Sequence, residues 1–412
     1  MSYRPGRRLL PCVLLLLAAV PSFAAVPFEL IDVHQLPTPP GDDAGSVSVL
    51  AGDFTRDGRA DVVVSFGGVP VVVYAAQAPG RGGFQPKPQP AVSTYGSGYI
   101  DRLLLAAAAA PAGAAREIVY ADTTHSARRL QWLGGTANYG PAPDRFELPP
   151  YAGAVGVLAA LAAGDFNGDG RNDVALIDVS TQGALDGRSA GLIAWGRVGA
   201  AQIERSLPTV ANPYFATSAD FTGDAAHLPD LLVANRQRDI GLASWDAVAQ
   251  QLVLKQTLSL GATGINGIAA GDLNGDGRPD ALVQSRNGAQ LGWVVIENRG
   301  GQGLALGATL PLAAALTQCI GDFDGDGVAD VLLDGNTLYF GEGGYRYTAS
   351  PNVIGGLTYG LACTDFDGDG RLDFATAAYA ADYTLELRIY RYRDGWDRIF
   401  ANGFQPTSMA AP

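Results

Sequence analysis

The sequence is poor in the residues from which most catalytic and zinc sites are built. It has three cysteines, three histidines and two methionines among 412 residues. Because zinc sites need clusters of cysteine and histidine, the sequence offers no site of that type. His34, His125 and His227 fall in three separate parts of the chain, so we interpret them as polar loop residues rather than catalytic groups.

Charged residues are also scarce, at 17% of the chain, and acids outnumber bases. The formal net charge is −13 at pH 7. An acidic surface repels phosphate groups, which argues against nucleic acid and anionic membranes as partners.

Only one apolar run is long, and it stands near the N-terminus. Leu9 to Val20 follows three arginines and precedes the small-x-small sequence Ser22-Phe23-Ala24. This order predicts a signal peptide over residues 1–24, and therefore a secreted protein that is extracellular, periplasmic or on the cell surface. No later run is long enough for a transmembrane helix, so we expect no membrane insertion.

A nine-residue acidic motif, Asp-Phe-Asn/Asp-Gly-Asp-Gly-x-x-Asp, recurs along the chain. Clear copies begin at Asp53, Asp165, Asp272, Asp322 and Asp365, and a damaged copy runs from Asp220 to Asp230. The intervals between successive first residues are 112, 55, 52, 50 and 43 residues. Since the first interval is about twice the others, we expect one further unit without the motif near residue 109, which makes seven units.

Each unit contains four short segments of strand character. The third segment always carries an aromatic residue that we expect to pack between units: Tyr74, Trp132, Trp195, Trp245, Trp293, Tyr339 and Tyr390. Seven such units predict an all-β fold, a seven-bladed β-propeller of four-stranded blades over residues 25–392. A solenoid of stacked strands is the alternative, but it would need capping units.

Two segments compete to close the last blade. Residues 27–37 include Phe28-Glu-Leu-Ile-Asp-Val33, which has the character of a fourth strand. The C-terminal tail, residues 393–412, includes the alternative, Trp396 to Phe404.

Two cysteines remain after the signal peptide. Cys319 and Cys363 precede two successive motifs by three and two residues. A disulfide can form in an oxidising compartment. Strand alternation, however, points the two side chains to opposite faces, which makes two buried thiols the alternative.

The acidic motif has the ligand spacing of a calcium loop. Oxygen-bearing side chains stand at positions 1, 3, 5 and 9, and a calcium ion takes roughly six to eight oxygen ligands. Glycine at position 6 allows a sharp turn, and position 7 can add a backbone carbonyl. Because position 12 is not glutamate, we expect a loop between the first and second strands of a blade rather than between helices. The candidate ligands are Asp53, Thr55, Asp57, Asp61, Asp165, Asn167, Asp169, Arg171, Asp173, Asp272, Asn274, Asp276, Arg278, Asp280, Asp322, Asp324, Asp326, Val328, Asp330, Asp365, Asp367, Asp369, Arg371 and Asp373.

The copies differ in their ligands. Those at Asp322 and Asp365 carry four aspartates, whereas Thr55 and Arg56 weaken the copy at Asp53. The damaged copy at Asp220 lacks the sixth-position glycine and has two extra residues, which leaves its occupancy open. We therefore expect about five calcium ions, each pinning a turn between two strands.

These motifs resemble those of the FG-GAP/VCBS repeat family, whose propeller is similar to the head of integrin α-subunits. The resemblance covers roughly residues 27–392, and Tyr339-Phe-Gly-Glu-Gly-Gly-Tyr345 keeps the family's Phe-Gly pattern best. It implies calcium in the loops between first and second strands, all on one face. It also implies ligand contacts on the opposite face, as in integrins. Because the family is functionally mixed, the resemblance bears on fold more than on function.

No catalytic arrangement stands out. Gly187-Arg-Ser-Ala-Gly191 matches the nucleophile-elbow pattern, but that motif requires a strand-to-helix turn, and here it lies in a polar loop. We predict a monomeric recognition or adhesion module for an extracellular glycan or protein. A polysaccharide-acting enzyme and a purely structural envelope protein are the alternatives. The expected contact residues on the face opposite the calcium loops are Tyr95, Tyr99, Tyr151, Tyr214, Phe215 and Tyr359.

Overall fold

The computed structural model describes residues 27–36, 47–55, 57–65, 72–77, 83–86, 103–108, 117–124, 127–133, 141–147, 156–180, 190–196, 202–204, 207–350, 353–354 and 358–393. The predicted signal peptide, most of the C-terminal tail, and Tyr95, Tyr99, Tyr151, His125 and Ser189 lie outside these residues. Within them, the regular structure is strand apart from one 3-10 helix, Gly300–Gln302. No helix in these ranges has the length and apolar character needed to cross a bilayer.

The strands follow one another at short intervals. In chain order they are β1 (Phe28–Gln35), β2 (Ser48–Gly52), β3 (Asp61–Ser65), β4 (Val72–Ala76), β5 (Phe84–Pro86), β6 (Leu103–Ala108), β7 (Glu117–Thr124), β8 (Ala127–Leu133), β9 (Pro141–Glu147), β10 (Gly156–Gly164), β11 (Asp173–Ser180), β12 (Ala190–Trp195), β13 (Gln202–Glu204), β14 (Pro213–Ala219), β15 (Asp230–Asn235), β16 (Asp239–Asp246), β17 (Gln251–Ser259), β18 (Gly264–Gly271), β19 (Asp280–Asn287), β20 (Gln290–Asn298), β21 (Leu304–Leu310), β22 (Gln318–Gly321), β23 (Asp330–Leu333), β24 (Thr337–Gly341), β25 (Tyr347–Ala349), β26 (Thr358–Thr364), β27 (Asp373–Tyr379) and β28 (Leu385–Tyr392).

The strands pair into seven antiparallel four-stranded sheets. We number them as blades 1 to 6, each of four consecutive strands from β2 to β25, and blade 7, in the order β26, β27, β28 and β1. The first strand of every blade contacts the first strand of the next, and β26 contacts β2. This closed ring confirms an all-β propeller with four-stranded blades and excludes the solenoid. Six blades are described with side chains, and blade 2, which lacks the motif, through its strand pairing alone.

The second strand of a blade is covered on both faces by neighbouring blades. Residues 62–64, 174–177, 231–234 and 281–283 are fully buried. These segments are accordingly continuous runs of valine, leucine, isoleucine and alanine, without polar alternation.

The core lies in layers between neighbouring blades. The third-strand aromatics contribute to these layers as expected: Tyr74, Trp195, Trp293 and Tyr390 are buried. The Trp195 and Trp245 rings, from blades 3 and 4, lie 5.4 Å apart in an edge-to-face contact.

The N-terminal strand closes the ring. β1 pairs antiparallel with β28, with Phe28 opposite Tyr392 and Gln35 opposite Glu386. The fourth strand of blade 7 therefore comes from residues 28–35, and not from the C-terminal tail. Asp32 of β1 also reaches blade 1, where its Oδ2 accepts the N–H of Phe84 at 2.5 Å.

Cys319 of β22 and Cys363 of β26 form a disulfide, with a Cα–Cα distance of 6.4 Å. Both side chains lie in the apolar layer between blades 6 and 7. The alternative of two free thiols is therefore wrong. Cys319 pairs with Leu332 and Cys363 with Phe374 in their respective sheets, so the cysteines stand on opposite faces of their own blades. Neighbouring blades pack with one face of the first blade against the opposite face of the second. Cysteines on opposite faces of their own blades therefore meet in the layer between the two blades.

Phe28 should contribute strongly to ring closure. Its side chain is 2% exposed, and its ring makes edge contacts with Phe374 at 4.8 Å and Phe323 at 5.6 Å. We expect Phe28→Ala to lower the free energy of unfolding by about 3–5 kcal/mol, because it leaves a cavity. Leu30→Ala, at a position that is 46% exposed on the same strand, is the control and should cost little. Equal losses in denaturant unfolding would contradict this account of closure.

Candidate metal centre

Every acidic motif of a described blade links a first strand to a second strand. The last aspartate of the motif is in each case the first residue of the second strand: Asp61, Asp173, Asp230, Asp280, Asp330 and Asp373. Successive loops lie close to one another. A Cβ added to Gly275 would meet Val328 at 3.6 Å, and one added to Gly325 would meet Arg371 at 3.6 Å. The loops of blades 5, 6 and 7 therefore lie on one face of the ring.

The first aspartate holds the loop in a tight turn. Asp365 Oδ1 accepts the N–H groups of Gly368 at 2.6 Å and Asp369 at 3.2 Å, and its Oδ2 accepts that of Gly370 at 2.9 Å. Gly368 and Gly370 have φ angles of 82° and 88°, a region in which a side chain is strained. Asp165, Asp272 and Asp322 accept the equivalent three bonds.

The ninth aspartate clamps the loop to the third strand. Asp373 Oδ2 accepts the N–H of Phe366 in the loop at 2.9 Å, and its Oδ1 accepts the N–H of Tyr392 on β28 at 2.7 Å. Asp61, Asp173 and Asp330 make the same pair of bonds within their own blades. All four side chains are essentially inaccessible to solvent. A buried carboxylate that satisfies two separate backbone donors fixes both segments relative to each other.

Burial raises the pKa of the ninth-position carboxyl groups. The pKa of Asp173 and that of Asp373 rise to about 7, and the pKa of Asp280 rises to about 6. Desolvation is the main cause, while the backbone N–H donors oppose it, and neighbouring loop acids such as Asp169 raise the pKa further. A cation among these oxygens would favour the ionised form.

Two loops bring three carboxylates together. Oxygen atoms of Asp322, Asp324 and Asp330 lie within 4.8 Å of one another, as do those of Asp365, Asp367 and Asp373. These are positions 1, 3 and 9 of the motif. In the loops of blades 1, 3 and 5, position 3 is instead Thr55, Asn167 and Asn274, which offers a neutral oxygen. The donor set is thus entirely oxygen, which fits a hard divalent cation such as calcium.

Positions 5 and 7 face each other along the loop. Asp369 Oδ1 accepts the N–H of Arg371 at 2.8 Å, and the Arg371 guanidinium lies 3.0 Å from Asp369 Oδ2. Arg278 and Asp276 form the same pair in blade 5. The fifth aspartate is therefore engaged by its own loop, and position 7 is available to a cation through its backbone carbonyl alone.

The damaged loop of blade 4 is held differently. Gly223 N–H still donates to Asp220 Oδ1 at 2.8 Å. The other oxygen, Oδ2, lies 2.8 Å from Nδ1 of His227, whereas in the intact loops it accepts the N–H of the sixth-position glycine. His227 thus substitutes for the missing glycine amide. His34 lies on β1 and not in a loop as expected, with its Nε2 3.1 Å from Asp32 Oδ2.

The apolar residue at position 2 anchors the loop, and the sequence analysis missed this role. Phe54, Phe166, Phe221, Leu273 and Phe323 are buried. Phe366 of blade 7 meets Phe84 of blade 1, with ring centroids 5.5 Å apart, so this residue packs against the following blade. An apolar residue at a fixed place in an otherwise acidic loop was the available signal.

Comparison with known proteins supports the fold. A family model for an FG-GAP-like repeat matches residues 227–283, which contain most of blade 4 and the acidic loop of blade 5. No curated protein matches the chain. Two crystal structures of BBS1N in complex with ARL6DN, soaked with lead and with mercury, have TM-scores of 0.52 and 0.53 and 12% identity. They cover 90% of this chain, and 99% and 98% of their own. At this identity the likeness concerns the fold alone.

The structural role of the ninth-position carboxylate can be distinguished experimentally from a role in cation binding. We expect Asp373→Asn to destabilise the protein by about 1–3 kcal/mol even in EDTA, because the amide places N–H against a buried N–H donor. Asp367→Asn, at the exposed third position of the same loop, is the control and should have little effect in EDTA. The measurement is denaturant unfolding with EDTA and with calcium. An Asp373→Asn variant as stable as wild type in EDTA would contradict the clamp.

Proposed function

From the premise that this chain is a β-propeller containing an FG-GAP-like repeat, we propose that it is a secreted, calcium-stabilised recognition module. FG-GAP propellers are typically non-enzymatic and typical of extracellular proteins. The observation that carries the recognition role is a depression at the mouth of the ring, on the face opposite the acidic loops.

Calcium is the cation that the loops suit best. The loops of blades 6 and 7 each offer two carboxylates whose oxygens lie close to a third, buried carboxylate, and these clusters contain no nitrogen or sulfur ligand. Asp322, Asp324 and Asp330 would hold an ion in blade 6, and Asp365, Asp367 and Asp373 in blade 7. The loops at Asp53, Asp165 and Asp272 would hold ions with one neutral oxygen in place of a carboxylate. When bound, the ion neutralises clustered carboxylates that otherwise repel one another.

Removal of calcium should therefore lower stability. We expect EDTA to reduce the melting temperature of the mature protein by several degrees or more, and millimolar calcium to restore it, since ligand binding to the folded state alone raises stability. Magnesium at the same concentration is the control and should restore less, because it demands a smaller octahedral site. A melting temperature indifferent to both EDTA and calcium would overturn the calcium assignment.

The depression lies where three first strands begin. It has a volume of 280 Å³ and is lined by residues 47–50, 316–318 and 360–361, from blades 1, 6 and 7. The lining residues run from just before β2 and β22 to the middle of β2 and β26, whereas the acidic loop follows the end of each first strand. The depression therefore lies toward the end of the first strands that is opposite the acidic loops.

The wall formed by blade 6 is preorganised. Asp334 Oδ1 accepts the N–H groups of Leu316 at 2.9 Å and Thr317 at 2.8 Å. Upstream, the Ala315 carbonyl accepts a bond from Gln284 Nε2 at 2.9 Å. The backbone is thus held from two blades, yet the Leu316 side chain remains 81% exposed. A fixed wall that presents an exposed apolar side chain favours ligand contact, because little ordering is lost on binding.

The surroundings suit a glycan. Tyr359 lies beside the depression and meets Tyr379 edge-to-face at 5.5 Å. Aromatic rings of this kind present an apolar face and a hydroxyl group, and Thr317 and Gln318 add polar groups at the wall. Tyr214 and Phe215 lie elsewhere, in the layers around blade 4, where the Arg236 guanidinium covers the Tyr214 ring at 4.2 Å. An extracellular protein is the alternative ligand, because exposed apolar and aromatic side chains also serve contacts between proteins.

Substitution of Leu316 tests the location of the site. We expect Leu316→Asp to weaken binding on a glycan array about tenfold or more, since it places a charge at the apolar wall. The matched control is Val248→Asp, because Val248 is 96% exposed in the β16–β17 turn, at the acidic-loop end of blade 4. Equal binding by both variants would contradict the site. An array on which the wild-type protein binds nothing would overturn the proposal of a glycan ligand and leave a protein partner or a structural role.

A further inference from the structure

One acidic loop is contacted by a residue of the next blade. The turn between β24 and β25 of blade 6 carries Tyr345 over the loop of blade 5. Asn274 Nδ2 donates to the Tyr345 hydroxyl at 2.9 Å, and that hydroxyl lies 3.3 Å from Asp280 Oδ2, to which it donates. Tyr345 therefore bridges positions 3 and 9 of the motif.

The turn is built to deliver this side chain. Tyr345 has a φ angle of 65°, a left-handed conformation that is strained for a bulky residue. The turn is closed by the Glu342 N–H donating to the Arg346 carbonyl at 2.9 Å. Two residues later, the Tyr347 hydroxyl donates to the Leu273 carbonyl at 3.2 Å. Two tyrosine hydroxyl groups from blade 6 thus hold one loop of blade 5, and strain that persists in this way points to a function.

The loop of blade 3 provides an internal comparison. It has the same side chains at the five ligand positions as the loop of blade 5. In blade 5, Asn274 Nδ2 donates to Asp276 Oδ2 at 3.0 Å and also to Tyr345. In blade 3, Asn167 Nδ2 lies 3.5 Å from Asp169 Oδ2, and the neighbouring blade contributes Leu228 near Gly168. Of these two loops, only that of blade 5 has its asparagine amide held by a hydroxyl group from a neighbouring blade.

We propose that Tyr345 is a positioning residue for the cation of the blade 5 loop and makes it a tighter site than the blade 3 loop. Tyr345 orients the Asn274 amide and the Asp280 carboxylate, and so couples cation binding in blade 5 to the position of blade 6. This inference rests on the proposed calcium binding. Groups that orient a metal ligand typically change affinity by about 10-fold or more when they are removed.

The test is a titration of the mature protein with terbium. It is monitored by the terbium luminescence that excitation of aromatic residues produces, and it is checked by calorimetry with calcium. Asp276→Asn identifies the component of the titration that belongs to the blade 5 loop. We expect Tyr345→Phe to shift that component about 10-fold toward higher ion concentration. Tyr383→Phe, at a tyrosine that is 85% exposed in blade 7, is the control and should leave the titration unchanged.

The outcomes separate this inference from the proposed function. A Tyr345→Phe titration identical to wild type, while Asp276→Asn removes a component, would overturn the role of Tyr345 alone. If Asp276→Asn removes no component, the blade 5 loop does not bind the ion and both claims about it fail. A melting temperature lowered equally in EDTA and in calcium, with unchanged titration, would identify Tyr345 as a packing residue and also overturn the inference.

Discussion

The buried ninth-position aspartate is the interaction on which the acidic loops depend. Its two oxygens accept backbone N–H groups from the loop and from the third strand, as in Asp330, which accepts from Phe323 and Gly341. The loop is thereby fixed to the sheet before any ion is considered. A carboxylate buried in this way is costly unless both oxygens are satisfied, so the loop and the third strand have to keep their relative positions.

The same loops also join one blade to the next. The second-position residue packs into the following layer, as Phe366 does against Phe84. The loop of blade 5 is also contacted by Tyr345 of the next blade. The shape of each loop is consequently a property of two blades. An ion bound in such a loop would stabilise the interface between blades as well as the turn within one.

Much of the architecture could be predicted from the sequence because the acidic motif repeats at nearly constant intervals. The acidic loops that begin at Asp53 and Asp365, and the strands between them, each follow from that spacing. What could not be predicted depends on contacts between blades. Strand alternation within one sheet does not determine whether Cys319 and Cys363 pair, because their pairing depends on the facing surfaces of two neighbouring blades. The use of His227 in place of a glycine amide is a contact within one loop, and it too has no sequence signature.

We propose above all that the protein is a calcium-loaded propeller. The most direct measurement is the metal content of the mature protein, purified in calcium, dialysed free of excess ion and analysed by native mass spectrometry. The account predicts about five calcium ions per chain, since five loops keep the full spacing of oxygen ligands. A mass equal to that of the polypeptide alone would contradict it.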